Sequence, residues 1–302
     1  MGKISFVFSG QGDQYPGFGK PMYDGYEAAR RTYALCDAVR PGTAEMCLNG
    51  TDEELKETKN TQPCLFTMEL AAFNVLTEKG IRPDCVAGFS LGEVVAATAA
   101  GIFDEKTGFE LVCRRGELMQ QCSEKFDTAM AAVVKLSDEK VEEIAAKYDG
   151  VYPVNYNCPG QVTVSGLKSA MPEFNTEVKA AGGRAIPLKV SGAFHSPFMA
   201  EAASEFGKCL AVAQAHEAKL PIYSDMTAEI YSGSVEELLS KQICSPVRWE
   251  KIIRNMLESG VDTFVEVGPG RTLTNMIKKI APEAKTYCVA ELDTLLEEVA
   301  GC

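Results

Sequence analysis

The segment DCVAGFSLGEVVAA places Ser90 between Gly88 and Gly92, a spacing that can present a serine as a nucleophile. Apolar residues precede the serine and small residues follow it, which predicts a strand, a sharp turn and a helix. Such a turn exposes the serine hydroxyl, and the backbone N–H of Leu91 could then stabilise an oxyanion. A tight turn without chemistry needs the same glycines, so the motif alone leaves both interpretations open.

A serine is a weak nucleophile unless a base takes its proton, and the chain has two histidines. His195 lies in the loop KVSGAFHSPFM, and loops often display functional groups. His216 lies beside Glu217 and Lys219, on what looks like the solvated face of a helix. His195 is therefore the candidate base. No aspartate has a context that marks it as the group orienting the imidazole, and a backbone carbonyl can serve instead.

The segment FVFSGQGDQ follows a predicted first strand and contains Gly10 and Gly12. A dinucleotide-binding loop would need a third glycine where the chain has Tyr15. The sequence therefore favours a loop whose backbone N–H groups approach a reacting centre, with Gln11 projecting from it.

The predicted helix FELVCRRGELMQQC carries two adjacent arginines, Arg114 and Arg115. Glu110 precedes Arg114 by four residues, a spacing typical of a surface ion pair, whereas Arg115 has Leu111 at that spacing. An arginine near an acyl site can hold a carboxylate with both arms of its guanidinium, which a lysine cannot do. A solvated helix face is the alternative for either arginine.

Strands and helices must alternate in a particular order to position these residues. Short apolar strands alternate with helices over 1–123 and again over 191–302, which predicts a parallel sheet covered on both faces. We expect these two stretches to form one α/β-hydrolase-like large subdomain. Between them, residues 124–190 follow the order β-α-β-β-α-β, which predicts an inserted ferredoxin-like small subdomain.

Composition restricts the partners and the compartment. The net charge of −12 disfavours binding to nucleic acid and to anionic membranes. No apolar run approaches the roughly 18 residues of a membrane span. The eleven scattered cysteines include no CxxC pair and favour free thiols in a reducing cytoplasm. No cysteine–histidine spacing fits a zinc site, so we expect neither a metal nor another cofactor.

In combination, these segments resemble the malonyl-CoA:acyl-carrier-protein transacylases and the acyltransferase domains of fatty-acid and polyketide synthases. The similarity extends over nearly the whole chain. The segments that carry it, in chain order, are FSGQGDQ, TQPCLFTMELA, GFSLGE, RRGELMQ, VNYNCPGQVTVSG, SGAFHSPFM, SPVRW and EVGPG.

The resemblance implies acyl transfer in two steps. Ser90 would attack the thioester of malonyl-CoA and carry the malonyl group as an ester, with His195 as general base. The phosphopantetheine thiol of holo acyl carrier protein would then accept the malonyl group, which gives ping-pong kinetics. We expect a monomer that supplies extender units for fatty-acid or polyketide synthesis. On the residues alone, a thioesterase or esterase, a non-catalytic scaffold and a dinucleotide-binding protein are the alternatives.

The resemblance also implies roles for the residues around this pair. The backbone N–H groups of Gln11 and Leu91 would form the oxyanion hole. Arg115 would hold the free carboxylate of the malonyl group. The main-chain carbonyl of Gln242 would orient the histidine, which would explain why no aspartate is marked for that role.

Phe194 directly precedes His195, and this form of the loop goes with malonyl rather than methylmalonyl groups in the family. The physical reason is volume, because a ring beside the acyl α-carbon leaves no room for a methyl branch. One methyl group gives only about 1–3 kcal/mol of discrimination, so some leakage is expected. Met119 is expected to line the same pocket.

Three positions depart from the family's pattern. Phe89 replaces a histidine, Ser9 replaces a proline and Asp13 replaces a serine. Phe89 is closest to the chemistry, because it removes one polar, titratable side chain beside the nucleophile. We expect this replacement to change the reaction rate and its pH profile.

Docking of the carrier protein poses an electrostatic problem. Carrier proteins of this kind are acidic, and this chain is acidic too, so docking needs a local basic patch. Ordinary solvated surface is the alternative for each candidate patch. The first patch is Arg271, Lys278 and Lys279, and the second is Arg184 and Lys189.

Overall fold

The computed structural model describes residues 2–188, 190, 192–292 and 296–297. The strands in these residues are β1 (Lys3–Phe8), β2 (Cys85–Gly88), β3 (Thr128–Val134), β4 (Val151–Cys158), β5 (Gln161–Leu167), β6 (Arg184–Pro187), β7 (Ile222–Tyr223), β8 (Val261–Val267) and β9 (Lys285–Cys288).

Helices separate most of these strands. They are α1 (Lys20–Gly25), α2 (Glu27–Val39), α3 (Thr43–Asn49), α4 (Asp52–Lys56), α5 (Thr58–Glu78), α6 (Leu91–Ala99), α7 (Glu105–Ser123), α8 (Asp138–Ala145), α9 (Met171–Ala180), α10 (Ala200–Val212), α11 (Val235–Gln242), α12 (Trp249–Glu258) and α13 (Thr272–Ile280).

The larger sheet has the order β7-β2-β1-β8-β9, and each neighbouring pair is parallel. Successive side chains of β1 point to opposite faces, as they must in a strand. Phe6 and Phe8 pack into the core formed with α2, α5, α6, α7 and α10, whereas Val7 packs into the core formed with α12 and α13. The sheet is thus covered on both faces, and the predicted parallel-sheet architecture is confirmed.

The smaller sheet has the order β4-β5-β3-β6, and each neighbouring pair is antiparallel. Helix α8 connects β3 to β4 and α9 connects β5 to β6, which is the predicted ferredoxin-like arrangement. Val133, Val162 and Phe174 lie fully buried in a hydrophobic cluster of their own. This part therefore has its own core, as an inserted subdomain should.

Backbone hydrogen bonds join the large subdomain to the small subdomain. The N–H of Tyr156 donates to the carbonyl of Val247 at 2.8 Å, and the N–H of Val247 donates to the carbonyl of Val154 at 2.9 Å. The segment that leads into α12 is thereby paired with β4. A cavity of about 230 Å³ lies between the subdomains, beside the ends of β1 and β2.

Three local predictions differ from the structure. The segment RAIPLKV predicts the last strand of the insert, but β6 covers only its first four residues, although the N–H of Leu188 still donates to the carbonyl of Met130 at 2.9 Å. Lys189 lies outside the described residues. His216 is exposed but not helical, since α10 ends at Val212 and the N–H of His216 donates to the carbonyl of Ile102 at 2.8 Å.

The third difference concerns the surface ion pair predicted for α7. Arg114 pairs with Glu117 at 3.0 Å, and Glu110 pairs with Lys106 at 3.7 Å instead. Residues three and four positions apart both lie on one face of a helix, so the sequence alone could not tell which of the two ion pairs forms.

Within the described part of the chain, the helices lack the combination of length and apolar character that crossing a bilayer requires. The cysteines of these residues are free thiols, and most of them are buried.

Candidate active site

Ser90 lies on the turn between β2 and α6, half-buried, with a left-handed backbone of φ 58° and ψ −106°. The turn is tight on both sides. A Cβ on Gly88 would lie 1.9 Å from the carbonyl carbon of Gly92. A Cβ on Gly92 would lie 2.4 Å from the carbonyl oxygen of Phe8. Backbone atoms cannot yield as a flexible side chain can, so the two glycines are required by this close approach.

His195 faces the serine, with its Nε2 2.7 Å from the Oγ of Ser90. Its backbone is also left-handed, with φ 61°. The imidazole Nδ1 lies 2.9 Å from the carbonyl oxygen of Gln242 and 3.2 Å from that of Ser245. Carbonyl oxygens only accept hydrogen bonds, so Nδ1 carries the proton and Nε2 is free to take one from the serine. The resemblance implied this position for the Gln242 carbonyl.

The protonation state of His195 suits a base. Burial, and after it the nearby Arg115 guanidinium, lowers the pKa of His195 from 6.5 to about 4, against the opposing effect of the two carbonyls. The imidazole is therefore neutral at neutral pH and can accept a proton.

Two backbone N–H groups near the nucleophile form no hydrogen bond within the described residues. The N–H groups of Gln11 and Leu91 donate to no group in the part of the chain that the structure describes. The loop that carries Gln11 packs directly on the nucleophile turn, since a Cβ on Gly10 would lie 2.9 Å from Cδ1 of Phe89. Free N–H groups in such a place can stabilise an oxyanion. The Gln11 side chain turns toward α5, where its Oε1 accepts from Gln62 at 3.2 Å.

Arg115 is fully buried and brings a positive charge to the nucleophile. Its Nη2 lies 3.2 Å from the Oγ of Ser90 and donates to Oε1 of Gln242 at 2.7 Å. Its Nη1 donates to Oε1 of Gln62 at 2.9 Å. In the described residues no carboxylate bonds to this guanidinium, and its Nε has no partner. Burial lowers the pKa of Arg115 to about 10, so the side chain stays charged at neutral pH.

Two fully buried acids behind this site were not singled out from the sequence. Glu93 accepts from Nε2 of Gln242 and from the hydroxyl of Tyr231, both at 2.7 Å. Asp225 accepts the N–H of Ser90 at 2.6 Å. Burial raises the pKa of both carboxyls above their ordinary values. The GFSLGE motif could have pointed to Glu93, whereas no local pattern marks Asp225.

Of the predicted pocket residues, Met119 lies on the same helix as Arg115 and Phe194 directly precedes His195. Met119 is one helical turn beyond Arg115 on α7, and its sulfur accepts from Nε2 of Gln62 at 3.4 Å. Met119 and Phe194 are buried in the same hydrophobic cluster.

The cavity between the subdomains has one apolar and one polar wall. Phe89 lines it beside Gln11 and packs edge-on against Trp249, with ring centroids 5.6 Å apart. Asn155 and Asn157 line the other side. Their Oδ1 atoms are buried without a hydrogen-bond partner in the described residues, so they can accept from a ligand that enters.

The other two departures each gain a partner. The hydroxyl of Ser9 donates to Oε1 of Glu266 at 3.3 Å. Oδ1 of Asp13 accepts from the hydroxyl of Thr272 at 2.6 Å. Both contacts tie the first loop to the β8–α13 region.

The two candidate basic patches differ in their place. Lys279 donates to Oε1 of Gln161 at 3.2 Å, and Gln161 lines the cavity between the subdomains. Arg271 pairs with Glu291 at 2.5 Å. Arg184 is exposed on β6, and Lys189 lies outside the described residues.

Together these groups can take an acyl group onto a serine and pass it to a second acceptor. The described residues hold no cluster of three or more cysteine, histidine or acidic side chains suited to a metal. The sequence model of the acyl transferase domain family matches residues 5–296, and the chain belongs to this family.

Similarity to named relatives extends over nearly the whole chain. The malonyl CoA-acyl carrier protein transacylase of Bacillus subtilis is 36% identical over 304 residues, covering 98% of this chain and 96% of that protein. The crystal structure of the transacylase of the same name from Clostridium perfringens superposes with a TM-score of 0.95 at 33% identity, covering 99% of this chain and 96% of that one.

A second similar structure was solved with a carrier protein bound. It is a malonyl-transacylase in complex with its type II polyketide synthase acyl-carrier protein, with a TM-score of 0.93 and 32% identity. The match covers 98% of this chain and 99% of that one.

Proposed function

We propose that this chain transfers the malonyl group of malonyl-CoA to the phosphopantetheine thiol of an acyl carrier protein, for fatty-acid or polyketide synthesis. One observation carries the choice of acyl group. A buried guanidinium, to which no carboxylate of the described residues is bonded, stands 3.2 Å from the nucleophile oxygen. A malonyl group differs from an acetyl group by one carboxylate, which a guanidinium can bind with two parallel hydrogen bonds. The names of the full-length relatives support the same substrate and acceptor.

In the first half-reaction, Oγ of Ser90 attacks the thioester carbonyl while Nε2 of His195 takes the hydroxyl proton. The carbonyl oxygen becomes an oxyanion and accepts hydrogen bonds from the N–H groups of Gln11 and Leu91. The C–S bond then breaks, and the sulfur leaves with the proton that His195 returns. Free CoA and a malonyl ester on Ser90 result.

In the second half-reaction, the thiol of the carrier protein gives its proton to Nε2 of His195 and attacks the ester carbonyl. The same two N–H groups hold the oxyanion. The C–O bond breaks, and Ser90 regains its proton from His195. Arg115 keeps the malonyl carboxylate in place through both steps, which fixes the orientation of the reacting carbonyl.

The cavity between the subdomains is the proposed path of the thiol-bearing arm. Phosphopantetheine is a chain of methylene groups and two amides. Its N–H groups can donate to the unpartnered Oδ1 atoms of Asn155 and Asn157. Its methylene groups can pack on Phe89 at the opposite wall. This chemistry is shared by CoA and the carrier protein, so one path serves both half-reactions.

We further propose that the α13 patch, Arg271, Lys278 and Lys279, receives the acidic carrier protein. The contact of Lys279 with Gln161 on the cavity wall supports a position of this patch at the entrance of the arm. Every group in the proposed mechanism comes from one chain, which supports a monomer. The mechanism moves protons between Ser90, His195 and two thiols, so it requires no metal or cofactor. The many free cysteines support a reducing cytoplasm.

Intact-mass spectrometry of the protein mixed with malonyl-CoA tests the proposal. We expect a malonyl adduct in the wild-type protein that holo acyl carrier protein discharges, and no adduct with Ser90→Ala. Arg115→Ala should lower malonyl transfer roughly ten- to a hundred-fold while improving the relative use of acetyl-CoA, because a charged bidentate contact is lost.

The control is Arg114→Ala, which removes the neighbouring exposed arginine and should leave the malonyl-to-acetyl ratio unchanged. Release of free malonate at a rate that carrier protein does not affect would identify a hydrolase instead. An adduct that persists in Ser90→Ala would place the nucleophile elsewhere.

A further inference from the structure

The turn after β7 carries the buried Asp225 and is fixed from two sides. The N–H of Asp225 donates to Oε1 of Glu93 at 3.2 Å, and its carbonyl accepts the N–H of Arg248 at 2.9 Å. Within the turn, the N–H of Ala228 donates to the carbonyl of Ser224 at 2.8 Å, and Ala228 has a left-handed φ of 63°. The backbone of Asp225 is thus held in place, and this restricts where its carboxyl group can lie.

This turn emerges next to the turn that carries the nucleophile, because β7 is the parallel neighbour of β2. Oδ2 of Asp225 accepts the N–H of Ser90 at 2.6 Å. Ser90 precedes the first residue of α6, so its N–H has no partner within the helix. Its left-handed backbone is one that a serine seldom adopts, and such a conformation persists only where surrounding contacts hold it.

The same carboxylate oxygen also contacts Gln242, the residue whose carbonyl orients His195. Nε2 of Gln242 lies 3.1 Å from Oδ2 of Asp225, and this nitrogen also donates to the carbonyl of Ser90 at 2.6 Å. The carbonyl of Gln242 in turn orients His195. This oxygen atom therefore accepts from the turn of the nucleophile and also contacts the amide nitrogen of the residue that orients the base. The two hydrogens of that amide serve the shorter contacts with Ser90 and Glu93.

We propose that Asp225 is a positioning residue, which holds Ser90 in the left-handed turn from which Oγ reaches Nε2 of His195. Asp225 itself touches no reacting atom and takes no proton. Its task is to place an acceptor oxygen at the N–H of Ser90, so the role depends on the position of that oxygen and not on the charge. The inference rests on the proposed function only in taking Ser90 as the nucleophile.

Three substitutions separate position from charge. Asp225→Asn keeps an acceptor oxygen at the same distance from the backbone and removes the charge. Asp225→Glu keeps the charge but moves the carboxyl by one methylene. Asp225→Ala removes the acceptor. Thr227→Ala is the matched control, because Thr227 is exposed in the same turn and, within the described residues, its hydroxyl bonds only to the N–H of Glu229.

The measurement is the rate at which an alkyl fluorophosphonate labels Ser90, followed by intact mass, together with kcat and KM for malonyl-CoA. A misplaced nucleophile costs on the order of a hundredfold in rate, so we expect Asp225→Ala and Asp225→Glu to be about 30- to 100-fold slower in labelling and in kcat. We expect KM to stay within about threefold, because Arg115 still binds the carboxylate. Asp225→Asn and Thr227→Ala should stay within about fivefold of wild type.

Labelling of Asp225→Glu at the wild-type rate would overturn the proposal, and so would Asp225→Asn as slow as Asp225→Glu. The pair remains informative if Asp225→Ala does not fold. A residue with a purely structural role would change the labelled fraction and not the rate constant of that fraction. A wild-type protein that the fluorophosphonate labels but malonyl-CoA does not acylate would refute the proposed function alone, since the labelling rates still test Asp225.

Discussion

In the described residues, no carboxylate is hydrogen-bonded to the imidazole of His195. Its Nδ1 donates to the neutral carbonyls of Gln242 and Ser245, and the charged Arg115 lies on the same side of the pocket as Ser90. Carbonyl dipoles stabilise an imidazolium less than a carboxylate would, and a neighbouring cation opposes it. In the proposed mechanism, the imidazole of His195 is therefore neutral between turnovers and charged only during each proton transfer.

The acylation rate is expected to hold steady as pH falls below neutrality and to decline only near pH 4, because the pKa of His195 is lowered from 6.5 to about 4. Only the neutral imidazole accepts the serine proton. The unfolded chain binds this proton near pH 6.5, so the contribution of His195 to stability is present above that pH and is lost as pH falls through about 4.

The appropriate assay is single-turnover acylation measured by intact mass. A pH range of roughly 3.5 to 8 covers both the lowered pKa of His195 and its ordinary value. His216→Gln changes an exposed histidine outside the site and should leave the profile unaltered. A midpoint near the ordinary pKa of histidine would show that the imidazole is solvated in the working enzyme.

Much of the site was predictable from its residues, and the remainder has a physical reason for being missed. Ser90 and Gln11 follow apolar strands and lie on glycine-containing turns, and His195 is the histidine in a loop. Asp225 and Gln62 act through contacts with segments far away in the chain, 135 residues apart in the case of Asp225 and Ser90. Such contacts depend on which strands become neighbours, which local spacing does not encode.

At the level of elements, the active site depends on how closely α6 approaches the ends of β1 and β2. The N–H of Phe89 donates to the carbonyl of Phe8 at 2.9 Å, and the N–H of Gly92 donates to the carbonyl of Phe89 at 3.0 Å. The first turn of α6 thus lies directly against β1. This approach brings the first turn of α6 and the loop that carries Gln11 close to the nucleophile turn.

Gly92→Ala is expected to destabilise the fold by about 1–3 kcal/mol or more, because the new Cβ overpacks against backbone atoms. It would meet the carbonyl oxygens of Phe8 and Ser9 at 2.4 and 2.7 Å. Urea unfolding measures the loss. Gly25→Ala is the control, since a Cβ there meets no atom within 4 Å, and a change of equal size in both variants would contradict the role of the close approach.

The elements that were predicted correctly have strong apolar patterns, such as β1, β2 and the strands of the insert. The edge strands carry weaker signals. Strand β7 has two residues, and β9 is the segment KTYC, of which only Cys288 is buried. Helix α5 begins at Thr58 although it contains Pro63, because burial of most of its first turn compensates for the hydrogen bond that Pro63 cannot donate.

At the level of the whole molecule, two subdomains share the work. The large one supplies Ser90, His195 and Arg115, and the small one supplies the amide wall of the cavity. A net charge of −12 makes the basic residues at the cavity entrance a local exception to the overall field. An acidic partner would be repelled elsewhere and oriented here.

Lys279→Glu combined with Lys278→Glu is expected to raise KM for holo carrier protein about fivefold or more at low ionic strength, and less at moderate salt, because screening weakens the charge contact. KM for malonyl-CoA should change less. Lys208→Glu, on α10 away from the cavity lining, is the control. Equal effects of the two variants on the carrier protein KM would indicate a general charge effect and would exclude α13 as the docking patch.

The edge-on contact between Phe89 and Trp249 has an optical consequence. The chain contains one tryptophan, which is fully buried and in contact with the ring of the residue that precedes the nucleophile. All indole fluorescence of the protein therefore originates beside the reacting serine. We therefore expect the fluorescence of this single tryptophan to change when the acyl group is loaded and unloaded, so that both steps can be followed without a label.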